Sequence, residues 1–193
     1  MMEKMPFHPA LPATWRQTIP ELQGDFVTLR EVQPEMDKSL WQIIWPTEVA
    51  HLFPPAPRGE QEFRTVLMRL LEERQGGREV GFVACVGSGP IGLVHVRALE
   101  PSFQTAECAF AFAPDCWSTQ APGEAIGLVR DFIFEVVGAH RIESRTLMDA
   151  GERIECLRRL GAREEGVLRR SARVSGGFED QILWAIVKAD HVN

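Results

Sequence analysis

The sequence predicts an α+β fold in which helices cover a mixed, mostly antiparallel sheet. Several short segments alternate apolar and polar residues, which is the pattern of half-buried strands. Other segments repeat apolar residues every three to four positions, which is typical of amphipathic helices. The predicted order is strand, two helices, three strands, helix, strand, helix and two strands, so strands cluster rather than alternate strictly with helices. With 193 residues, the chain is long enough for one domain with a sizeable core.

The chain is predicted to consist of a proline-containing arm over residues 1–20 and a single domain over residues 21–193. The helix at Glu60–Gln75 is the clearest element, because its apolar stripe is followed by Gly76 and Gly77. The other elements predicted here are a strand at Asp25–Glu31, a helix at Glu35–Trp45, a proline-rich loop at His51–Gly59, and a hairpin of strands at Glu79–Val86 and Ile91–Leu99.

The second half begins with an alternating strand that ends near Phe112 and leads into a helix starting near Pro122. Gly138 is expected to stop that helix, because glycine readily adopts the left-handed conformation of a helix end. The remaining predicted elements are a strand at His140–Thr146, a helix at Ile154–Leu160, and strands at Gly166–Val174 and Asp180–Val187.

Composition argues against several classes of protein. The net charge of −6 disfavours a general nucleic-acid-binding surface. No apolar run has the length of a membrane helix, and the N-terminal residues contain no continuous apolar segment that would indicate a signal peptide. The four cysteines show no CxxC spacing, so we expect buried free thiols in a reducing cytoplasm and no metal site. The chain has no tyrosine, which excludes a tyrosine general acid.

The most informative stretch runs from Ala106 to Ala125 and reads AECAFAFAPDCWSTQAPGEA. It predicts a strand, a short loop and the N-terminus of a helix. Because the first N–H groups of a helix lack intrahelical partners and carry partial positive charge, this arrangement can bind an anion. The same residues also fit an ordinary capped junction that binds nothing.

This stretch resembles the acetyl-CoA pyrophosphate loop of the GNAT superfamily of N-acetyltransferases, and most closely the branch that acetylates N-terminal amines of ribosomal proteins. The likeness extends over roughly Leu22 to Asp190 through the segments LQGDFVTLRE, HRIESRT, CLRRLGAREEGVLR and DQILWAI. It implies a GNAT-like fold that uses acetyl-CoA or another acyl-CoA as co-substrate, with no metal.

The loop departs from the pattern of that branch, which usually reads W-G-K-G-Y-A-T-E-A. If the motif starts at Trp117, then Ser118 and Gln120 replace glycines, Thr119 replaces a basic residue and Pro122 replaces a small one. A second register that starts at Gln120 fits a shorter family formula, and we favour the first. The cofactor-binding residues implied by the resemblance are the backbone of Phe110, Ala111 and Phe112, the loop residues Trp117, Ser118, Thr119, Gln120, Ala121, Pro122 and Gly123, and also Cys156 and Arg159.

Acyl transfer to an amine needs a group that deprotonates the amine and a group that stabilises the oxyanion. The resemblance places Glu107 as a base acting through water, although a surface carboxylate is the plainer interpretation. The family's usual Asn and Ser fall on Ala150 and Arg153, so both are lost. Cys156 is interpreted as packing, and His95 and His140 are alternative bases or structural histidines.

Trp41, Trp45, His95 and the 51–59 loop fall where acceptor pockets of the family lie. The first hypothesis is therefore an N-acyltransferase whose acceptor is a peptide N-terminus or another small amine, and a homodimer is left open. The alternative is a catalytically degenerate GNAT-like module that binds acyl-CoA or a protein partner. A third, less favoured hypothesis is a dimerisation domain without a ligand.

Overall fold

The computed structural model describes residues 14–44, 53, 56–174 and 176–191, which form one eight-stranded sheet covered by helices. The strands lie in the order β1-β2-β3-β4-β5-β6-β8-β7, and every neighbouring pair is antiparallel except β5 and β6. The predicted α+β class and mostly antiparallel sheet are confirmed. The strands are β1 Leu22–Gln23, β2 Thr28–Glu31, β3 Glu79–Val86, β4 Gly89–Ala98, β5 Thr105–Phe112, β6 Arg141–Leu147, β7 Arg163–Val174 and β8 Gly177–Val187.

Helices lie on both faces of the sheet. The α-helices are α1 Asp37–Ile44, α2 Glu60–Gln75, α3 Ala121–Phe132, α4 Gly151–Arg159 and the short α5 Lys188–His191. One core layer lies between the sheet and α1 and α2, and it includes Leu40, Phe63, Leu67 and Leu93. The other lies between the sheet and α3 and α4, and it includes Phe82, Ala125, Phe132 and Leu157.

The predicted strand at Asp25–Glu31 is wrong in its first half. Residues 24–27 form a turn closed by a 2.9 Å hydrogen bond from Gly24 N–H to Val27 O, and regular pairing resumes at Thr28. The turn forms because the carboxylate of Glu124 accepts the backbone N–H groups of Asp25, Phe26 and Val27. Those donors are therefore not available to a neighbouring strand.

Two predicted helices also differ in their bounds. α4 begins at Gly151, before the predicted Ile154, because Ala150 O already accepts the Ile154 N–H at 2.9 Å. The helix that starts near Pro122 is α-helical through Phe132 and then continues as a π-helical turn over Ile133–Val137. It ends where predicted, because Gly138 adopts φ 89°.

Residues 14–19, which lie in the predicted arm, pack onto the domain. Trp15 and Ile19 are buried in the layer under α3 and α4. Arg74, at the end of α2, is 6% exposed and donates to the carbonyls of Trp15 and Arg16 while pairing with Glu31. The division of the chain at residue 21 stays a prediction.

Candidate active site

A gap between β5 and β6 is the centre of the candidate site. These parallel strands pair only over Thr105–Glu107 and residues 141–143. Beyond that point Ser144 Oγ donates to Cys108 O at 2.8 Å, so a buried side chain replaces the backbone pairing. The remaining part of β5, from Phe110 onwards, thus borders an opening in the sheet.

The hydrogen-bond register decides which groups of β5 face this gap. Ala113 N–H donates to Ile91 O and Leu99 N–H donates to Thr105 O, so the odd-numbered residues of β5 bond to β4. Because the direction alternates along an antiparallel strand, the N–H groups of Phe110 and Phe112 point towards the gap. The N–H of Ala111 points towards β4 instead. Of the three residues named from the sequence, two therefore present their N–H groups to the gap.

The loop between β5 and α3 is compact and does not need the expected glycines. Its φ angles include −63° at Trp117 and −82° at Gln120, and Ser118 and Thr119 are not among the described residues with positive φ. L-residues adopt such angles without strain. Ser118 and Gln120 therefore replace glycine at no backbone cost, and both side chains are exposed.

The hydroxyl groups of the loop are already engaged. Ser118 Oγ donates to Asp115 O at 3.1 Å, and Thr119 Oγ1 donates to Cys116 O at 2.7 Å. Thr119 Oγ1 also accepts the Ala121 N–H at 3.3 Å, which satisfies one of the first donors of α3. Both hydroxyls would have to rotate before they could donate to a ligand.

α3 begins at Ala121, with Pro122 in its first turn, which agrees with the register that starts at Trp117. Proline is accepted there because its missing N–H would have no intrahelical partner. Gly123 faces α4: a Cβ atom built on it would lie 3.7 Å from Cys156 Sγ. The first turn of α3 and the middle of α4 are thus in contact.

Trp117 joins the loop to the strand and to α4. Its ring centroid lies 6.0 Å from that of Phe110 and 5.4 Å from that of Phe112. On its other side, the guanidinium carbon of Arg153 lies 5.3 Å from the Trp117 ring centroid, within cation–π range. Arg153 occupies the place of the lost serine, and its contact with the loop was not predicted.

Glu107 lies on the opposite face of the sheet, at the side of α1 and α2. Its side chain is 12% exposed, and one carboxylate oxygen pairs with Arg97. The other oxygen lies 3.1 Å from Arg145 Nε. Both oxygens are therefore engaged by guanidinium groups. A water that binds to one of these oxygens would have to share that oxygen with an arginine.

His95 lies on β4, beside Ala109 of β5, on the same face as Glu107. It is 4% exposed, and its Nε2 lies 2.9 Å from Glu79 Oε2. Burial acts to raise the pKa of Glu79, but the hydrogen bond and charge of His95, together with Arg69, hold it below its usual value. An ionised Glu79 can only accept, so His95 Nε2–H donates this hydrogen bond.

With this geometry described, comparison with known proteins decides the family. A family model for the acetyltransferase (GNAT) domain matches residues 27–163, which is more than half of the chain. The chain belongs to the GNAT acetyltransferase family. No curated protein sequence matches it.

Solved structures resemble the GNAT chain over most of its length. A protein from T. thermophilus, provisionally identified as an acetyltransferase, is 26% identical, covers 90% of this chain and 92% of its own, and has a TM-score of 0.72. Mycobacterium smegmatis RimJ, solved in complex with CoA-disulfide, is 22% identical over 85% of this chain and 83% of its own, with a TM-score of 0.75. The Vibrio fischeri ribosomal-protein-S5-alanine acetyltransferase is 16% identical over 89% of this chain and 98% of its own, with a TM-score of 0.78. The last two show similarity of fold alone.

Cys156 of the GNAT chain is buried and is not exposed for reaction. Burial raises the pKa of Cys156 to about 11, although Arg159 acts in the opposite direction. Burial also raises the pKa of Cys108 to about 12. A thiol nucleophile needs the thiolate form, so Cys156 serves in packing against the first turn of α3. Arg159 is exposed at the end of α4.

The candidate acceptor residues lie on the α1 and α2 face of the GNAT domain. Trp41 packs on Phe63, with ring centroids 5.5 Å apart. Phe53 lies 6.3 Å from Phe63 and 5.1 Å from the ring of His95, so it links these aromatic groups to the histidine. Trp45 and residues 51, 52, 54 and 55 of the predicted 51–59 loop lie outside the described residues. His140 is exposed and directly precedes β6.

Two general features complete the description of this GNAT chain. Over the described ranges, no helix is both long and apolar enough to cross a membrane. Within those same ranges, no three His, Cys, Asp or Glu side chains are grouped as metal ligands. Sequence reasoning missed the roles of Glu124 and Arg153, because both act through partners far away along the chain.

Proposed function

We propose that the chain is an N-acyltransferase that moves an acetyl or another short acyl group from acyl-CoA to a primary amine. The acceptor is a peptide N-terminus or a small amine. The observation that carries this proposal is the pair of N–H groups of Phe110 and Phe112, which face the gap between β5 and β6. A backbone donor in a partly desolvated opening can stabilise the negative charge that develops on a carbonyl oxygen. The second donor, about 6.6 Å further along the strand, can bind another acceptor of the same ligand.

The residues fit an acyl-CoA in three places. The gap between β5 and β6 offers backbone donors, and the first turn of α3 follows β5 after a short loop. Trp117 and Arg153 flank this loop. When bound, the acyl-CoA supplies a thioester, whose C–S bond breaks as the C–N bond to the amine forms. CoA leaves as a thiolate, which takes up the proton that the attacking amine nitrogen releases. One of the N–H groups of Phe110 and Phe112 holds the thioester carbonyl oxygen, and the other is available to the pantetheine arm. Around the phosphate groups, the wall is formed by Ser118, Thr119, Gln120, Ala121, Pro122 and Gly123.

Glu107 is the proposed base, acting through a water on the acceptor face. Its pairing with Arg97 of β4 and Arg145 of β6 keeps the carboxylate in place over the junction of β5 with these strands. Such a water would take the proton from the ammonium form of the acceptor before attack. Trp41 and His95, on the same face, are the proposed wall of the acceptor pocket, with Trp45 assigned to it from the sequence alone.

Turnover with a panel of amines tests the proposal. Release of free thiol from acetyl-CoA and propionyl-CoA is measured with peptides beginning in alanine or serine and with small polyamines. Exchange of Glu107 for glutamine is expected to lower kcat by about 100-fold or more, as loss of a general base does. The Glu155→Gln variant is the control, since that carboxylate is exposed on α4. Absence of turnover across the panel, despite binding of CoA, would overturn the enzymatic proposal.

A non-catalytic acyl-CoA-binding module is the second candidate, and one observation favours it. Both oxygens of Glu107, the proposed base, are held in ion pairs with arginines. Calorimetric titration with acetyl-CoA, propionyl-CoA and CoA separates the two: binding without turnover would support the module.

A further inference from the structure

The pyrophosphate wall of this chain contains no cation of its own. Residues 114–125 include Asp115 and Glu124 but no lysine or arginine. Pro122 has no N–H group, and the Ala121 N–H lies 3.3 Å from Thr119 Oγ1. An anionic ligand at this helix end would therefore meet no positively charged side chain from residues 114–125, unless another element supplies one.

α4 brings such a charge to the loop. Arg153 places its guanidinium carbon 5.3 Å from the ring centroid of Trp117, the first residue of the loop motif. Cys156, one turn further along the same face of α4, lies 3.7 Å from the Cβ position of Gly123 in the first turn of α3. These two contacts place the face of α4 that carries Arg153 along the loop from its start to its end.

We propose that Arg153 binds the pyrophosphate of acyl-CoA and takes over the role of the basic residue that the loop has lost to Thr119. This inference rests on the proposed use of acyl-CoA. A guanidinium group offers parallel N–H donors that match two phosphate oxygens, and it keeps its charge at any physiological pH. Stacking on Trp117 restricts the side chain beforehand, so less conformational entropy is lost when the ligand binds.

Trp117 is then a positioning residue for Arg153. Its ring is held by Phe110 and Phe112, whose N–H groups face the gap. The same aromatic cluster thus fixes the two parts of the site that would receive the thioester and the pyrophosphate. The serine usual at position 153 could not reach the loop in this way, because it is shorter and uncharged.

Calorimetric titration of the full chain with CoA, 3′-dephospho-CoA and pantetheine tests the assignment. Exchange of Arg153 for glutamine is expected to weaken CoA and 3′-dephospho-CoA equally, by about tenfold or more, as loss of a charge-assisted hydrogen bond does. Pantetheine, which lacks the phosphates, should bind wild type and variant alike. Arg153→Lys should recover part of the affinity. Arg173→Gln, which makes the same charge change at an exposed position of β7, should bind as wild type.

Several results would overturn the assignment. Unchanged or tighter binding of CoA by Arg153→Gln, or a loss confined to CoA and absent for 3′-dephospho-CoA, would each contradict it. Arg153→Met, which keeps an apolar contact with Trp117, should show the same loss, and thermal unfolding checks that each variant is folded. If wild type binds none of the three compounds, the use of acyl-CoA fails as well. If wild type binds CoA through Arg153 but transfers no acyl group, only the enzymatic proposal fails.

Discussion

Glu124 Oε2 accepts the backbone N–H of Phe26 at 2.7 Å, which ties the first turn of α3 to a turn almost a hundred residues earlier in the chain. The same carboxylate accepts the N–H groups of Asp25 and Val27 at 2.7 and 2.9 Å. Gly24 lies beneath it, since a Cβ there would be 2.4 Å from the Glu124 carboxylate. One side chain therefore fixes where α3, and with it the proposed phosphate wall, stands against the first strands.

Loss of this carboxylate should destabilise the fold. We expect Glu124→Ala to lower the free energy of unfolding by about 2–3 kcal/mol, because three hydrogen bonds to a charged group are lost, one of them from the buried Val27. Urea denaturation measures the difference. Glu155→Ala is the matched control on an exposed helix position and should change stability by less than about 0.5 kcal/mol. Equal effects of the two substitutions would show that the Glu124 contacts contribute nothing specific.

Gly92 should be required for the close approach of β4 and β5. A Cβ there would lie 2.4 Å from Ala111 O and 2.9 Å from Phe112 Cα, so β5 would have to move. We expect Gly92→Ala to cost about 1–3 kcal/mol of stability, as overpacking does, and to weaken CoA binding because Phe112 is displaced. Gly89→Ala is the control, because the nearest atom to its Cβ is 3.8 Å away. A Gly92→Ala protein with wild-type stability and binding would contradict this account.

Stability should depend on Glu100 in acid. Its carboxylate accepts a hydrogen bond from the Ser102 hydroxyl and from the N–H groups of Thr105, Ser102 and Gln104, which together lower its pKa to about 2. Because the folded pKa is depressed, the stabilisation is complete above the ordinary carboxyl pKa and is lost as pH falls towards about 2. The stability difference between wild type and Glu100→Gln should therefore be constant near neutral pH and shrink below about pH 4.5. A difference that stays constant down to about pH 3 would argue against these hydrogen bonds.

Thiol labelling should distinguish the cysteines. Burial raises the pKa of Cys108 to about 12 and that of Cys156 to about 11, whereas Cys116 is only partly buried. We expect a thiol reagent at neutral pH to label Cys116 first in the native protein, and Cys108 and Cys156 only after unfolding. Mass spectrometry of digested samples identifies the labelled positions, with the denatured protein as the reference. Rapid native labelling of Cys156 would contradict its role in packing.

The elements predicted correctly are those whose signals are local. Glu60–Gln75 and Glu79–Val86 have the predicted bounds. An apolar stripe followed by a glycine stop marks the helix, and the turn over residues 87–90 marks the end of the strand. The strand from Thr105 and the start of α3 near Pro122 follow from the same kind of signal. The fold class follows from the order of such elements, and so it can be predicted from the sequence.

The features that sequence reasoning missed depend on contacts across the fold. Asp25–Val27 carries a strand-like pattern, but its N–H groups are taken by Glu124, which no local signal reveals. The sequence suggests a cost for replacing the loop glycines, yet the loop turns with negative φ angles. Position 153 shows only a lost serine in the sequence, because the contact of Arg153 with Trp117 depends on the packing of α4. The assignments of Glu107, Trp41 and His95 stay predictions.

The short pairing of β5 with β6 divides the sheet into two blocks, β1–β5 and β6–β8, whose backbone pairing with each other is confined to the Thr105–Glu107 junction within the described residues. A ligand bound in the gap between β5 and β6 would contact both blocks and oppose their separation. Its binding free energy would then add directly to the work needed to part them. Amide protons at the junction would exchange with solvent more slowly in the complex. Their exchange rate would therefore report the fraction of protein that has ligand bound.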